Sequence, residues 1–189
     1  MRGQPRCRMM RTGRWLMLVA VAAMTGAVNT IGVAVAAESE TLATSAGAAV
    51  ALGAAPVTVT LAPAAGRALS TRVAAASEGR KVYLVAKGLG TDAPPETIYQ
   101  LYLGLPQGTA PTPDSPYYVG ALNFFNAARG GAEAARSDPR FLSFDVTHLM
   151  KSLQSQRALG ENATVTIVPA GKLRAGARPV IGEISLVAQ

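Results

Sequence analysis

The sequence has few of the residues on which most metal and disulfide sites depend. Its 189 residues include one cysteine, Cys7, and one histidine, His148. A single cysteine excludes a disulfide framework within the chain and a cysteine-rich zinc site. A single histidine argues against any metal centre that takes several imidazole ligands from this chain. The sequence therefore predicts neither a metal site nor a cofactor.

Charged residues are also few, at 15% of the chain, and the excess of positive charge lies at its beginning. Five of the 18 lysine and arginine residues fall within residues 1–37, which contain no acidic residue. The remainder has 13 basic and 11 acidic residues, so it carries little net charge. Nucleic-acid binding requires a basic stripe on the folded part, and this pattern is missing. We therefore expect no nucleic-acid partner.

Residues 1–37 have the organisation of a secretory signal peptide. Arginines precede an apolar run over residues 15–23, and small residues then lead to Ala36 and Ala37. This order predicts cleavage after Ala36 or Ala37, and a secreted or periplasmic protein that meets the membrane only transiently. A retained membrane anchor is the alternative, because residues 15–37 are uncharged over a length sufficient to cross a bilayer.

The rest of the chain alternates short apolar segments with turn residues. Residues 38–55, rich in Ala, Thr, Ser and Gly, predict a flexible leader. One helix is predicted to begin at Thr147 as its N-cap and to end before Gly160, whereas residues 63–77 fit no clear pattern. Strands are predicted over residues 57–61, 80–87, 97–103, 117–125, 141–146, 163–168 and 181–187. About seven short strands separated by turns are typical of an all-β domain, a β-sandwich or jelly-roll, here over residues 56–189.

No catalytic site stands out in the sequence. A serine hydrolase needs a base beside its nucleophile. The only imidazole in the sequence belongs to His148, three residues after Asp145. We expect His148 to be exposed on the first helical turn. Asp145 is expected to stabilise the helix start, where a negative charge faces free N–H groups. No opposed pair of carboxylates, as glycosidases use, is evident. The sequence predicts a protein that is not an enzyme.

Aromatic residues are concentrated between residues 99 and 144, and most are expected in the core. Tyr117 differs, because it follows a loop with four prolines over residues 104–116 and is expected at the rim of the domain. A partly buried rim tyrosine and an aromatic side chain that faces a partner remain alternative interpretations. Tyr117 and its neighbour Tyr118 are the candidate partner contacts.

Six segments, taken in order, resemble the C-terminal domain that follows the copper domain in bacterial tyrosinases and polyphenol oxidases. They are Arg80–Gly88 (RKVYLVAKG), Ile98–Pro106 (IYQLYLGLP), Tyr118–Phe125 (YVGALNFF), Phe144–Thr147 (FDVT), Val165–Pro169 (VTIVP) and Ile181–Leu186 (IGEISL). Residues 52–61 also resemble the run-in to that domain. The resemblance covers residues 50–189.

In that family the domain is a β-sandwich that packs over the dicopper site and limits access to it, in some members with a bulky side chain in the pocket. The six-histidine copper domain is missing from this sequence, so the resemblance does not carry oxidase activity with it. It implies a free-standing accessory domain that docks on a separately encoded dicopper oxidase and shields or stabilises its site. The alternative is a secreted β-sandwich with a structural or other ligand-binding role and no oxidase partner.

Overall fold

The computed structural model describes residues 39–45, 47, 49–76, 79–125, 127 and 140–189. The predicted signal peptide and its cleavage at Ala36 or Ala37 lie outside these residues. The strands of the described part are β1 (Glu40–Ser45), β2 (Val50–Ala51), β3 (Val57–Pro63), β4 (Val82–Gly90), β5 (Tyr99–Leu103), β6 (Tyr118–Leu122), β7 (Phe141–Asp145), β8 (Ala163–Pro169) and β9 (Val180–Ala188). Two α-helices, α1 (Leu69–Ala76) and α2 (Thr147–Ser155), accompany them. Neither of these helices is long and apolar enough to span a membrane.

All nine strands of the described residues belong to one antiparallel sheet. Its order is β6-β5-β8-β3-β1-β9-β4-β7, and β2 pairs with β9 beside β1. The two outer strands, β6 and β7, come back into contact with each other, so the sheet is rolled and nearly closed. Alternate side chains fill its interior, among them Leu84 and Leu101. The predicted all-β class is confirmed, and the strands form one continuous, rolled sheet around the core.

The predicted flexible leader over residues 38–55 is wrong for residues 40–45, because they form β1, an inner strand of the sheet. β1 pairs with β3 on one side and β9 on the other, and Leu42 and Ala43 have no exposed surface. The small, weakly apolar sequence of β1 gives little local strand signal. Pairing on both edges supplies the stabilisation that composition does not reveal.

An ionic cluster holds the beginning of β1 in place. Glu40 accepts a hydrogen bond from Arg72 on α1 at 2.8 Å and another from Arg80, just before β4, at 2.9 Å. Arg72 also donates to the backbone oxygen of Thr41 at 2.8 Å. The side chain of Arg72 is only 11% exposed, so this pair is less screened by water than a surface pair. The cluster ties the first strand to two later elements.

The two helices pack against one end of the sheet. Residues 63–77, which fitted no pattern, contain α1, whose buried residues Leu69, Val73 and Ala76 follow the spacing of one helix face. In α2 the buried residues are Met150 and Leu153, and Leu149 is half-buried against the core. The predicted N-cap is wrong by one position, since Val146 caps the helix and Thr147 begins it. The Thr147 hydroxyl instead accepts a hydrogen bond from the Val82 N–H at 2.9 Å.

Closure between β6 and β7 depends on a glycine. A Cβ atom added to Gly120 on β6 would lie 2.8 Å from two ring carbons of Phe144 on β7. Real carbon atoms do not approach so closely, and the ring belongs to a half-buried side chain packed on the core. Gly120 therefore permits the close approach of the two strands.

We expect Leu42→Ala to lower the free energy of unfolding by about 2–5 kcal/mol, because it leaves a cavity in the core. Thr41→Ala is the matched control, since the neighbouring side chain is exposed and its loss should cost less than about 1 kcal/mol. Urea unfolding of both variants measures the difference. Equal, small effects would show that residues 40–45 are not an inner strand.

We expect Gly120→Ala to destabilise the protein by about 1–3 kcal/mol, because the new methyl group overlaps the Phe144 ring. Gly160→Ala is the control, since no atom lies within 4 Å of a Cβ there. The double variant Gly120→Ala/Phe144→Leu should lose less stability than the sum of the losses in the two single variants, as measured by urea unfolding. Full additivity would contradict the contact.

Candidate functional site

Tyr117 and Tyr118 lie where the proline-bearing loop meets β6. Both are half-buried, and Tyr117 packs against the core. The Tyr118 ring meets the buried Tyr102 ring edge-on, with 5.6 Å between centroids. Burial raises the pKa of Tyr102, and the neighbouring Tyr118 raises it further. Each candidate residue thus has a structural role and an accessible part, and its contact with a partner stays a prediction.

The loop over residues 104–117 and the adjoining Tyr118 form a surface at this end of the sheet, which we call the loop end. Two turns order it: the Thr109 N–H donates to the Pro106 oxygen at 3.1 Å, and the Ser115 N–H donates to the Thr112 oxygen at 2.9 Å. Asp114 is its only charged residue. The loop end therefore presents an ordered, nearly neutral surface that contains the two candidate tyrosines.

A cleft of about 560 Å³ lies at the opposite end of β5 and β6. We call it the Phe125 cleft. The segments before β5, after β6 and after β8 form its walls, because these strands are antiparallel neighbours and their ends meet here. Its lining residues are Pro94, Pro95, Glu96, Thr97, Ile98, Asn123, Phe124, Phe125, Ala170 and Gly171. Most of this lining is apolar.

Two large apolar side chains of the Phe125 cleft are exposed to water. The side chain of Phe125 is 90% exposed and that of Ile98 is 46% exposed. Phe124 faces the other way, is buried, and meets the Tyr99 ring edge-on with 5.9 Å between centroids. Burial raises the pKa of Tyr99. An exposed aromatic side chain in an apolar cleft is typical of a contact or binding site.

Two carboxylates near the Phe125 cleft are paired with arginines. The Glu96 carboxylate accepts a hydrogen bond from Arg174 at 3.0 Å, and Asp92 is paired with Arg178. Glu96 has a left-handed backbone with a φ of 58°, which is unusual for a residue other than glycine. The backbone N–H of Arg174 also donates a hydrogen bond to the backbone oxygen of Pro95 at 3.0 Å. Arg174 therefore holds the segment around Glu96 by two contacts.

The sequence pattern missed this site. The strand predicted over residues 117–125 placed Phe125 among the aromatic residues expected mostly in the core, but β6 ends at Leu122. The usable signal was the adjacency of Phe124 and Phe125, because neighbouring residues of an extended chain point in opposite directions. One of the two had to face away from the core.

No metal-binding group is evident in the part of the chain that the structure describes, where no three His, Cys, Asp or Glu side chains come together. His148 is exposed on the first turn of α2, as expected. Asp145 stabilises the helix start, as predicted, because it accepts hydrogen bonds from the Thr147 hydroxyl at 2.6 Å and the Thr147 N–H at 3.0 Å. These bonds, with a smaller effect of Lys81, lower the pKa of Asp145 against the opposing effect of burial.

A protein-family model described as "Domain of unknown function (DUF7868)" matches residues 24–189. A search of curated proteins found no match. Among solved structures, latent aurone synthase (polyphenol oxidase) is 22% identical, with a TM-score of 0.46 over 71% of this chain and 24% of that one. Latent apple tyrosinase is 16% identical, with a TM-score of 0.46 over 73% of this chain and 27% of that one. This chain thus spans about a quarter of the length of either protein.

We expect Asp145→Asn to lower stability at pH 7 and to make stability less sensitive to acid. A carboxylate with a lowered pKa contributes stability above its unfolded value, about 3.9, and loses it as the pH falls through the folded value. The difference in stability between wild type and variant should therefore become smaller below about pH 4. Thermal unfolding from pH 7 to pH 3 measures this difference. Asp114→Asn, in the exposed loop, is the control. A stability difference between wild type and Asp145→Asn that does not change with pH would contradict the role of Asp145 at the helix start.

Proposed function

We propose that this chain, which belongs to the DUF7868 family, is a non-catalytic, secreted accessory domain that docks on a separately encoded dicopper oxidase of the tyrosinase type. The docked domain shields or stabilises the copper site of that enzyme. The copper chemistry belongs to the partner, since this sequence contains a single histidine.

The observation that carries the proposal is where the resembling segments lie in the fold. Five of the six overlap β4, β5, β6, β8 and β9, and the remaining one, Phe144–Thr147, joins the end of β7 to the start of α2. The resemblance therefore concerns the strands that build the sheet, in their order along the chain. A shared scaffold supports a shared mode of use, which in the tyrosinase family is packing over the copper domain.

The loop end is the proposed docking surface. It is ordered by its two turns, nearly free of charge, and carries the accessible parts of Tyr117 and Tyr118. Tyrosine is enriched at protein interfaces, because its ring offers apolar area while its hydroxyl stays hydrogen-bonded. A partner that covers the loop end would bury both rings without disturbing the core.

The test is an affinity purification of the tagged full chain from the secreted fraction of its own host, with the copper content of the retained proteins measured. We expect a copper-loaded oxidase in stoichiometric amount. Tyr117→Ala should weaken its retention about tenfold or more, as truncation of a central interface aromatic does. Tyr83→Ala is the matched control, because Tyr83 is a half-buried tyrosine on β4 and is not part of the loop end.

Two results would contradict the proposal in different ways. Absence of any copper-containing oxidase from the retained fraction would overturn the function. Loss of retention in Phe125→Ser but not in Tyr117→Ala would keep the function and show that the opposite end of the domain makes the contact.

A further inference from the structure

We infer that the Phe125 cleft is a binding site for a small, uncharged ring compound that carries one oxygen able to accept a hydrogen bond. This site lies at the opposite end of β5 and β6 from the proposed docking surface. The inference goes beyond the proposed function and does not depend on it.

The size and lining of the Phe125 cleft fit such a ligand. Its volume of about 560 Å³ falls within the roughly 300–1,000 Å³ that is usual for small-molecule sites, which are mostly apolar with few polar groups. Pro94, Ile98 and Phe125 leave apolar surface in contact with water. A flat ring packed against these side chains removes that surface from water, which is favourable in proportion to the area buried.

The paired charges in and near the Phe125 cleft favour an uncharged ligand. The one carboxylate in the lining, on Glu96, is neutralised by Arg174 at 3.0 Å. The nearby Asp92 is neutralised by Arg178, and Lys172 is not part of the lining. A charged ligand would lose hydration in an apolar cleft without gaining an opposite charge there. A neutral compound loses much less.

Asn123 supplies the polar contact. Its Oδ1 accepts a hydrogen bond from the Phe125 N–H at 3.3 Å, while its amide NH₂ has no partner among the described residues. The Thr97 hydroxyl, by contrast, donates to the Ile98 backbone oxygen at 3.2 Å. The cleft thus offers one side-chain NH₂ donor next to the exposed Phe125 ring. A carbonyl or ether oxygen on the ligand matches it.

Contacts within the chain hold one wall of the cleft in place. The left-handed backbone of Glu96 is held by its pair with Arg174, and the Ala170 N–H donates to the Ile98 oxygen at 2.9 Å. Unusual backbone conformations of this kind persist where the surroundings determine them, and they are concentrated at ligand sites. A pre-formed wall reduces the ordering cost of binding.

The experiment titrates the full chain with an uncharged naphthyl ketone dye whose emission shifts to shorter wavelength in apolar surroundings. We expect a saturable shift at micromolar concentrations with one dye per chain. Phe125→Ser should weaken binding about tenfold or more, because the main apolar contact is lost. Phe141→Ser is the matched control, since Phe141 is 60% exposed but does not line the cleft, and its affinity should equal that of wild type.

Asn123→Asp tests the hydrogen bond, because it keeps an acceptor for the Phe125 N–H and replaces the NH₂ donor with a carboxylate oxygen. The same naphthalene without its ketone controls for the negative charge that this substitution adds. We expect about a threefold to tenfold loss for the ketone and none for the same naphthalene without its ketone. Circular dichroism checks that each variant is folded. The absence of a saturable shift in wild type, or equal losses in Phe125→Ser and Phe141→Ser, would overturn the site. Neither result bears on docking to an oxidase, which is measured separately.

Discussion

The rest of the structure depends on the pairing of β9. One edge of this strand is hydrogen-bonded to β4 along its whole length, and the other edge is shared between β1 and β2. Its last residues, Leu186 and Ala188, are fully buried. A buried strand must pair the backbone groups on both of its edges. The last strand of the chain is therefore held by three strands from its first half, β1, β2 and β4.

The antiparallel arrangement separates the domain into two chemically different ends. β5 and β6 run between them, so residues at one end of this hairpin cannot act together with residues at the other. The loop end carries half-buried tyrosines and a proline-bearing loop. The Phe125 cleft carries exposed apolar side chains, an amide donor without a partner among the described residues, and a carboxylate that is neutralised. A protein surface suits the first, and a small ligand suits the second, so the two proposals concern different surfaces of one scaffold.

Local sequence patterns predicted strands β3 to β9 and the helix α2, because β-branched runs and helix start signals are local properties. The same reasoning failed for β1. Its sequence, Glu-Thr-Leu-Ala-Thr-Ser, has one large apolar side chain, and its strand conformation comes from two partners distant in the sequence. The site was missed for a related reason. Leu122 and Phe124 are buried and Phe125 is exposed, so the alternation of β6 continues past its end. Which of the two phenylalanines enters the core depends on the face that β6 turns toward the rest of the sheet, and the local sequence does not mark that face.

The sequence by itself determined the all-β class, the small number of Cys and His residues that could bind a metal, the order of the segments that resemble the oxidase C-terminal domain, and the role of Asp145 at a helix start. These follow from residue type and short-range spacing. Only the tertiary structure decided that β1 is an inner strand, that Gly120 lets β6 approach β7, and that Phe125 stands exposed beside Ile98. Each of these depends on which distant segments become neighbours, and that is settled by burial and by backbone pairing across the whole sheet.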